Sequence, residues 1–110
     1  MKSIKSWAEE DRPREKMLAK GKEALSNAEL IAILIGSGNS KETAVDLSKR
    51  ILHDSKDNLI ELSRLTINDL MKYNGIGEAK AVTIAAALEL GRRRRFSEAL
   101  EKPSIKNSQV

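Results

Sequence analysis

Two glycines flank one apolar residue in the segment Asn74-Gly75-Ile76-Gly77, and this segment is the part of the chain best suited to bind a ligand through its backbone. Glycine permits sharp turns, and this spacing predicts a connection too tight for a side chain at either glycine. If a helix follows, its first N–H groups lack intrahelical acceptors and can hold a phosphate oxygen. The alternative is a plain corner between two helices, in which the glycines only permit the turn.

Helical patterns on both sides of these glycines predict the elements that position them. Thr66 is a suitable N-cap for a short helix with Ile67 and Leu70 on its inner face. A longer helix is expected from Glu78, because apolar residues recur at helical spacing at Ala81, Ile84, Ala85 and Leu88. A helix, a glycine hairpin and a second helix form a helix-hairpin-helix unit, and Lys80 in the first turn of the second helix could add an ion contact.

Positive charge is concentrated on and after this hairpin. The chain has 110 residues and a formal net charge of +4. The segment from Lys72 to Arg95 contains six basic residues and two acidic ones. This segment therefore holds the whole excess, which suits a polyanionic partner, whereas a solvated helix end is the alternative. The predicted DNA-binding residues come from the hairpin, from the first turn of the helix that follows it and from the run of four arginines at 92–95. They are Asn74, Gly75, Ile76, Gly77, Glu78, Ala79, Lys80, Arg92 and Arg93.

Composition favours one small all-α domain without catalytic residues. Hydrophobic residues make up 40% of the chain and aromatic residues 3%, so the core must be aliphatic, and no segment alternates as a strand does. With one histidine, no cysteine and no metal-ligand spacing, the chain is expected to hold no metal and to be no enzyme. The lack of cysteine and of a signal peptide favours the cytoplasm, and the longest apolar run, Leu30 to Ile35, is too short to span a membrane.

The N-terminal segment is predicted to contain a short helix. Asp11-Arg12-Pro13 is typical of a helix start with proline in the first turn, and Gly21 is expected to end the helix after Lys20. Trp7 is the only tryptophan, and we expect it to anchor the terminus to the core. Base stacking is the alternative, but no second aromatic residue is nearby.

An earlier segment repeats the pattern of the glycine hairpin, so that residues 26–53 align approximately with residues 66–95. In the earlier copy Ser26 and Glu29 have capping-box spacing, and Ser40 is the expected cap of the next helix. Each copy alone would expose an apolar face. We therefore expect two tandem helix-hairpin-helix units that pack about a pseudo-twofold axis.

The limits of the domain follow from this repeat. Residues 1–95 are predicted to form one helical domain with a short N-terminal helix, and a further short helix over 57–63 connects the two units. Residues 96–110 become mostly polar from Pro103, which predicts a linker or a disordered tail.

The turn of the earlier copy is degenerate. Its middle residue is Ser37, where the later hairpin has an apolar residue that can enter the core. A structural role is therefore favoured here, and a second phosphate site is the weaker hypothesis. Its candidate residues are Gly36, Gly38, Asn39, Ser40 and Lys41.

Three segments go beyond a general helix-hairpin-helix pattern. The first is Trp7 with Glu-Asp-Arg-Pro-Arg-Glu-Lys-Met at 10–17, and the second is Ala-Leu-Ser-Asn-Ala-Glu-Leu-Ile-Ala-Ile-Leu at 24–34. The third is Asn-Gly-Ile-Gly-Glu-Ala-Lys-Ala at 74–81, with Ala-Leu-Glu-Leu-Gly-Arg at 87–92. In this order they resemble the N-terminal domain of the bacterial RadC family.

The resemblance implies a family historically labelled as DNA repair proteins. In that family a helix-hairpin-helix domain precedes a JAB/MPN-type domain with a zinc-metallopeptidase-like motif, which this sequence lacks, so we expect a truncated form. By similarity to helix-hairpin-helix domains, the amides around Gly75, Gly77 and Ala79 and the Lys80 side chain would hold one DNA strand. Some of these hairpins also bind a monovalent cation through backbone carbonyls, which is the one cofactor that the resemblance implies.

Two functions therefore compete. The first is sequence-independent DNA binding through backbone phosphates, in repair or recombination. The second is a docking module for a partner protein or for the missing C-terminal domain. The environment of Lys80 discriminates between them, because exposure beside free hairpin amides favours DNA and an internal pair with an acidic residue favours docking.

Overall fold

The computed structural model describes the backbone of residues 4–101 and the side chains of residues 11–101. Within this range the protein is all-α, as predicted. Its helices, in chain order, are α1 (Ile4–Lys20), α2 (Asn27–Ile35), α3 (Ala44–Asp54), α4 (Leu59–Ser63), α5 (Ile67–Met71) and α6 (Glu78–Glu101), with a 3₁₀ turn at Lys22–Ala24. None of these helices is long and apolar enough to cross a membrane.

Capping boxes begin two of the helices. Ser26 Oγ accepts the Glu29 N–H at 3.1 Å, and the Glu29 carboxylate accepts the Ser26 N–H at 2.8 Å. Thr66 and Asp69 form the same pair of hydrogen bonds at the start of α5. The bond from the Ser26 N–H is the main cause that lowers the pKa of Glu29. These bonds confirm both predicted N-caps. The caps could be predicted because a capping box depends only on residues three apart.

The predicted cap at Ser40 is wrong. The N-cap of α3 is Thr43, whose hydroxyl accepts the Asp46 N–H at 3.1 Å. Asn39 Oδ1 accepts the N–H groups of Lys41 and Glu42 at 2.8 and 2.9 Å, which folds residues 39–42 into a turn and delays the start of the helix.

The N-terminal helix differs from the prediction at its start and agrees at its end. In the described part of the chain α1 already runs from Ile4, so Pro13 lies inside the helix and the predicted start at 11–13 is wrong. Pro13 is fully buried, and this burial offsets the hydrogen bond that proline cannot donate. Gly21 ends the helix as predicted, with φ +90° and an N–H bond to the Met17 carbonyl at 2.8 Å. The predicted anchoring by Trp7 lies outside the described side chains.

The core is aliphatic and is shared by all the helices from α2 to α6. Helix α2 packs on α3, α5 packs on α6, and α6 also packs on α2 and α4. The largest fully buried aliphatic side chains are Leu47, Ile51, Leu62, Leu70 and Ile84. The two helix pairs that the sequence repeat predicts are therefore formed and share one core, while their pseudo-twofold relation stays a prediction.

Helix α6 extends beyond this core. It continues through Gly91 to Glu101, and every residue from Leu90 to Glu101 is exposed. The tail that was predicted from residue 96 thus begins inside a helix, and its role as a linker stays a prediction.

Candidate nucleic-acid interface

Two glycine hairpins meet at one end of the domain. The first hairpin, residues 36–43, joins α2 to α3, and the second hairpin, residues 72–77, joins α5 to α6. Gly75 has φ +101°, and an added Cβ there would lie 3.0 Å from the Gly38 carbonyl oxygen and 3.1 Å from Asn39 Cβ. Both its conformation and the neighbouring hairpin therefore require glycine at position 75.

Gly77 differs from Gly75 in both respects. Its φ lies outside the left-handed region, and an added Cβ would have no heavy atom within 4 Å. The prediction that a side chain cannot fit at Gly77 is therefore wrong. Between the two glycines, Ile76 is 3% exposed and belongs to the core, so it fixes the second hairpin to the domain.

The start of α6 is open to solvent. Gly77, Glu78 and Ala79 are all exposed. The first hydrogen bond inside the helix runs from the Ala81 N–H to the Gly77 carbonyl at 3.0 Å, so the N–H groups of Glu78 and Ala79 have no acceptor within the helix. Together with the helix dipole they can bind an anion.

Lys80 connects the two hairpins. Its half-buried ammonium group donates to the Ser37 carbonyl at 2.9 Å and to Ser37 Oγ at 3.1 Å. These two bonds join Lys80 to the other hairpin, and their acceptor, Ser37, is not acidic, so they correspond to neither expected environment. A separation of 43 residues carries no periodic signal, which is why the sequence did not predict the contact.

A network of polar side chains supports the same contact between hairpins. Asn39 Nδ2 donates to the Asn74 carbonyl at 2.7 Å and to the Glu42 carboxylate at 3.0 Å. Arg50 donates two hydrogen bonds of 2.9 Å to that carboxylate, and its guanidinium lies 5.2 Å from the centre of the Tyr73 ring. Of these residues, the sequence pattern predicts a binding role for Asn39 and Asn74 only.

Two pKa values reflect this network. Hydrogen bonds from Arg50, and then from Asn39, lower the pKa of Glu42 to about 2. Burial raises the pKa of Tyr73 to about 12, and its hydrogen bond to Asp54 at 2.7 Å acts in the same direction. Glu42 is therefore charged, and Tyr73 protonated, throughout the neutral range.

Glu42→Gln is expected to remove a stabilisation that is present at neutral pH and lost at acid pH. Because folding lowers the Glu42 pKa from 4.5 to about 2, the stabilisation is complete above about pH 4.5 and is lost as the pH falls through 2. At pH 7 the variant should be less stable by about 1 kcal/mol, since the pair is partly exposed, and the difference should vanish near pH 2. Urea unfolding across this pH range measures it.

Glu61→Gln is the matched control for this charge change, since it breaks the exposed pair between Glu61 on α4 and Arg64, the C-cap of that helix. Its effect at pH 7 should stay below about 0.5 kcal/mol. A difference between wild type and Glu42→Gln that is constant with pH would contradict the ion-pair explanation.

The arginines of α6 lie far from the hairpins. Arg92 is 13 residues beyond Ala79, which is about 20 Å along a helix. Arg92 and Arg93 both donate to Glu89 at 2.9–3.0 Å, and these bonds lower the pKa of Glu89 to about 2. The structure thus gathers residues 74–80 and 36–41 at one end and leaves Arg92 and Arg93 as a separate exposed group.

Fold and site together define a small all-α domain with two touching glycine hairpins, one of which precedes an accessible helix N-terminus. The family described as UPF0758 N-terminal matches residues 4–82, and the chain belongs to this family. UPF0758 is the RadC-like family, so the resemblance is confirmed at the level of the family. The helix-hairpin-helix assignment and the absence of an MPN domain stay predictions.

Bacterial relatives match most of this chain. A UPF0758 protein of Flavobacterium johnsoniae is 58% identical over 96% of this chain and 46% of its own length. A UPF0758 protein of Porphyromonas gingivalis is 45% identical over 98% of the chain and 48% of its own length. This chain therefore spans about half the length of these relatives. No solved structure matches it.

Proposed function

We propose that this domain binds DNA without sequence preference, by holding a backbone phosphate at the second hairpin and the start of α6. The observation that carries the proposal is Gly77. Neither its backbone conformation nor any neighbouring atom requires glycine at this position, unlike Gly75. A bound phosphate would supply the missing reason, because a side chain at position 77 would project beside the N–H groups that the phosphate approaches.

The chemistry of the site supports a phosphate over a base. Its accessible groups are backbone N–H donors at the positive end of a 24-residue helix, with the Lys80 ammonium in the same turn. The apolar residue of the second hairpin, Ile76, points into the core and offers no edge that could read a base. Contacts of this kind fix the position of a strand and carry no sequence information.

Gly77→Ala tests the proposal. The variant should weaken DNA binding by about tenfold or more, since the loss of a hydrogen bond to a charged group costs about 1.5–3 kcal/mol. Stability should change by less than about 1 kcal/mol, because the poorer N-cap and the stiffer unfolded chain act in opposite directions. Fluorescence anisotropy of labelled duplex, single-stranded and forked DNA across a salt series measures affinity, and urea unfolding measures stability.

Gly91→Ala is the matched control, because Gly91 is also exposed and an added Cβ there also meets no atom within 4 Å. This variant should bind like wild type. Affinity of the wild type should fall steeply with salt, with a slope of about −0.9 on a log–log scale for each phosphate neutralised on duplex DNA. We call the second hairpin with the start of α6 the phosphate clamp. If Gly77→Ala bound DNA with unchanged affinity, this result would contradict phosphate binding at the clamp.

A docking module is the second candidate, and the exposed half of α6 favours it. Leu90, Phe96 and Leu100 are 68, 60 and 71% exposed on a helix that extends past the core. An exposed apolar surface of this kind is typical of interaction sites, and a partner protein or the remaining half of a full-length relative could cover it. Wild-type protein that does not bind micromolar DNA at low salt would favour this candidate. Neither candidate needs covalent chemistry or a metal.

A further inference from the structure

Asn39 uses the full hydrogen-bonding capacity of its side chain inside the protein. Its Oδ1 accepts two backbone N–H groups, from Lys41 and Glu42, at 2.8 and 2.9 Å. Its Nδ2 donates to the Asn74 carbonyl at 2.7 Å and to the Glu42 carboxylate at 3.0 Å. A primary amide offers two donors and two acceptor positions, so all four are occupied. The two backbone donors also fix the orientation of the amide, because they require an oxygen.

The backbone of the first hairpin is committed in the same way. Besides the two N–H groups held by Asn39 Oδ1, the Ser37 N–H bonds the Ile35 carbonyl, and the Asn39 N–H bonds the Glu42 carbonyl, both at 2.9 Å. The Ser37 carbonyl and hydroxyl both accept from Lys80. The N–H groups of Ser37, Asn39, Lys41 and Glu42 thus all have acceptors inside the protein, whereas the Glu78 and Ala79 donors beside the second hairpin have no acceptor within their helix.

We propose that Asn39 is a positioning residue for the second hairpin, and that the domain has one phosphate clamp rather than two. This inference rests on the proposed function. Asn39 holds the carbonyl of Asn74, which is the residue directly before Gly75, and thereby fixes the turn that leads into α6. A binding site that is already fixed in its bound shape loses less conformational freedom when it binds, and therefore binds more tightly.

The ion pair between Glu42 and Arg50 holds Asn39 in position. The Glu42 carboxylate is held by both Asn39 and Arg50, and Arg50 in turn lies over the ring of Tyr73, the neighbour of Asn74. Both ends of the Asn39–Asn74 hydrogen bond are thus braced by α3. Tertiary contacts of this kind specify a turn geometry that glycine residues alone leave free.

Asn39→Ser and Asn39→Asp test the inference. Serine can keep a turn through its hydroxyl but is too short to reach Asn74, and aspartate keeps the acceptors for both N–H groups but removes both donors. Each should weaken binding of labelled duplex DNA by roughly tenfold. The amide NMR signals of Gly75 and Gly77 should also shift in the DNA-free protein, while circular dichroism shows an unchanged helix content.

Ser40→Asp is the matched control, since it adds the same charge at an exposed neighbour. It should lower affinity by less than about threefold, as expected for one added surface charge. A loss as large as that of Asn39→Asp would show that the first hairpin itself contacts phosphate and would overturn the inference. The inference would also be overturned if both Asn39 variants bound DNA with full affinity while Gly77→Ala bound it more weakly. A wild-type domain that binds no DNA would instead overturn the proposed function, and the inference with it.

Discussion

Gly38→Ala is expected to destabilise the domain by about 3 kcal/mol, the upper range for overpacking in a tightly packed site. A Cβ at position 38 would clash with the Glu42 carbonyl oxygen and would lie 2.6 and 2.7 Å from the carbonyl carbon and oxygen of Thr43. All three are backbone atoms and cannot rotate away. The Glu42 carbonyl also accepts the Asn39 N–H at 2.9 Å, and Thr43 caps α3, so a shift of either would break further hydrogen bonds.

Urea unfolding followed by circular dichroism measures this effect, with Gly91→Ala as the control for a glycine that has open space around it. Because small domains are stable by only about 5–15 kcal/mol, the predicted loss is a large share of the total. A change below about 1 kcal/mol would mean that residues 38–43 can rearrange at little cost, and it would weaken the view of the first hairpin as a rigid support.

The glycines illustrate what the sequence could predict about the candidate site. Gly36-Ser37-Gly38 and Gly75-Ile76-Gly77 have the same pattern, and the pattern correctly predicts two sharp connections. The structure separates them. Gly38 is required by backbone contact, Gly36 by its positive φ, and Gly75 by its positive φ and by the first hairpin, whereas neither conformation nor contact requires glycine at position 77. Spacing alone cannot separate these cases, because they depend on atoms elsewhere in the chain.

The fold shows the same division between local and distant effects. Helices α2, α5 and α6 and the caps at Ser26 and Thr66 were predictable, because helical periodicity and capping depend on residues three or four apart. The late start of α3 was not, since it depends on the bonds that the Asn39 side chain makes. The hydrogen bonds that join the hairpins span 35 and 43 residues and were likewise beyond prediction.

The two hairpins are also attached to the domain by different forces. The second hairpin inserts Ile76 into the aliphatic core, whereas the first presents Ser37 to the ammonium group of Lys80. The sequence indicated this asymmetry through the serine. It did not indicate that Ser37 would accept hydrogen bonds from Lys80 of the second unit. This contact joins the first hairpin to the second.

Ile76→Ala is accordingly expected to cost about 3 kcal/mol of stability, within the range for truncation of a buried aliphatic side chain. Ile76 is 3% exposed and lies in the same cluster as Leu70, Ala81 and Ile84, so its removal leaves a cavity where α5 and α6 meet. DNA affinity should fall as well, because the hairpin would lose the contact that fixes its middle residue. Urea unfolding and anisotropy measure the two effects.

Val82→Ala is the control for this truncation, because Val82 is 49% exposed on α6 and should cost less than about 1 kcal/mol. The ratio of the stability losses in Ile76→Ala and Val82→Ala shows whether burial of Ile76 in the core holds the second hairpin in place. If Ile76→Ala costs no more than Val82→Ala, the second hairpin is held by its polar contacts to the first hairpin alone. Asn39 and Lys80 would then be the residues on which the geometry of the site depends.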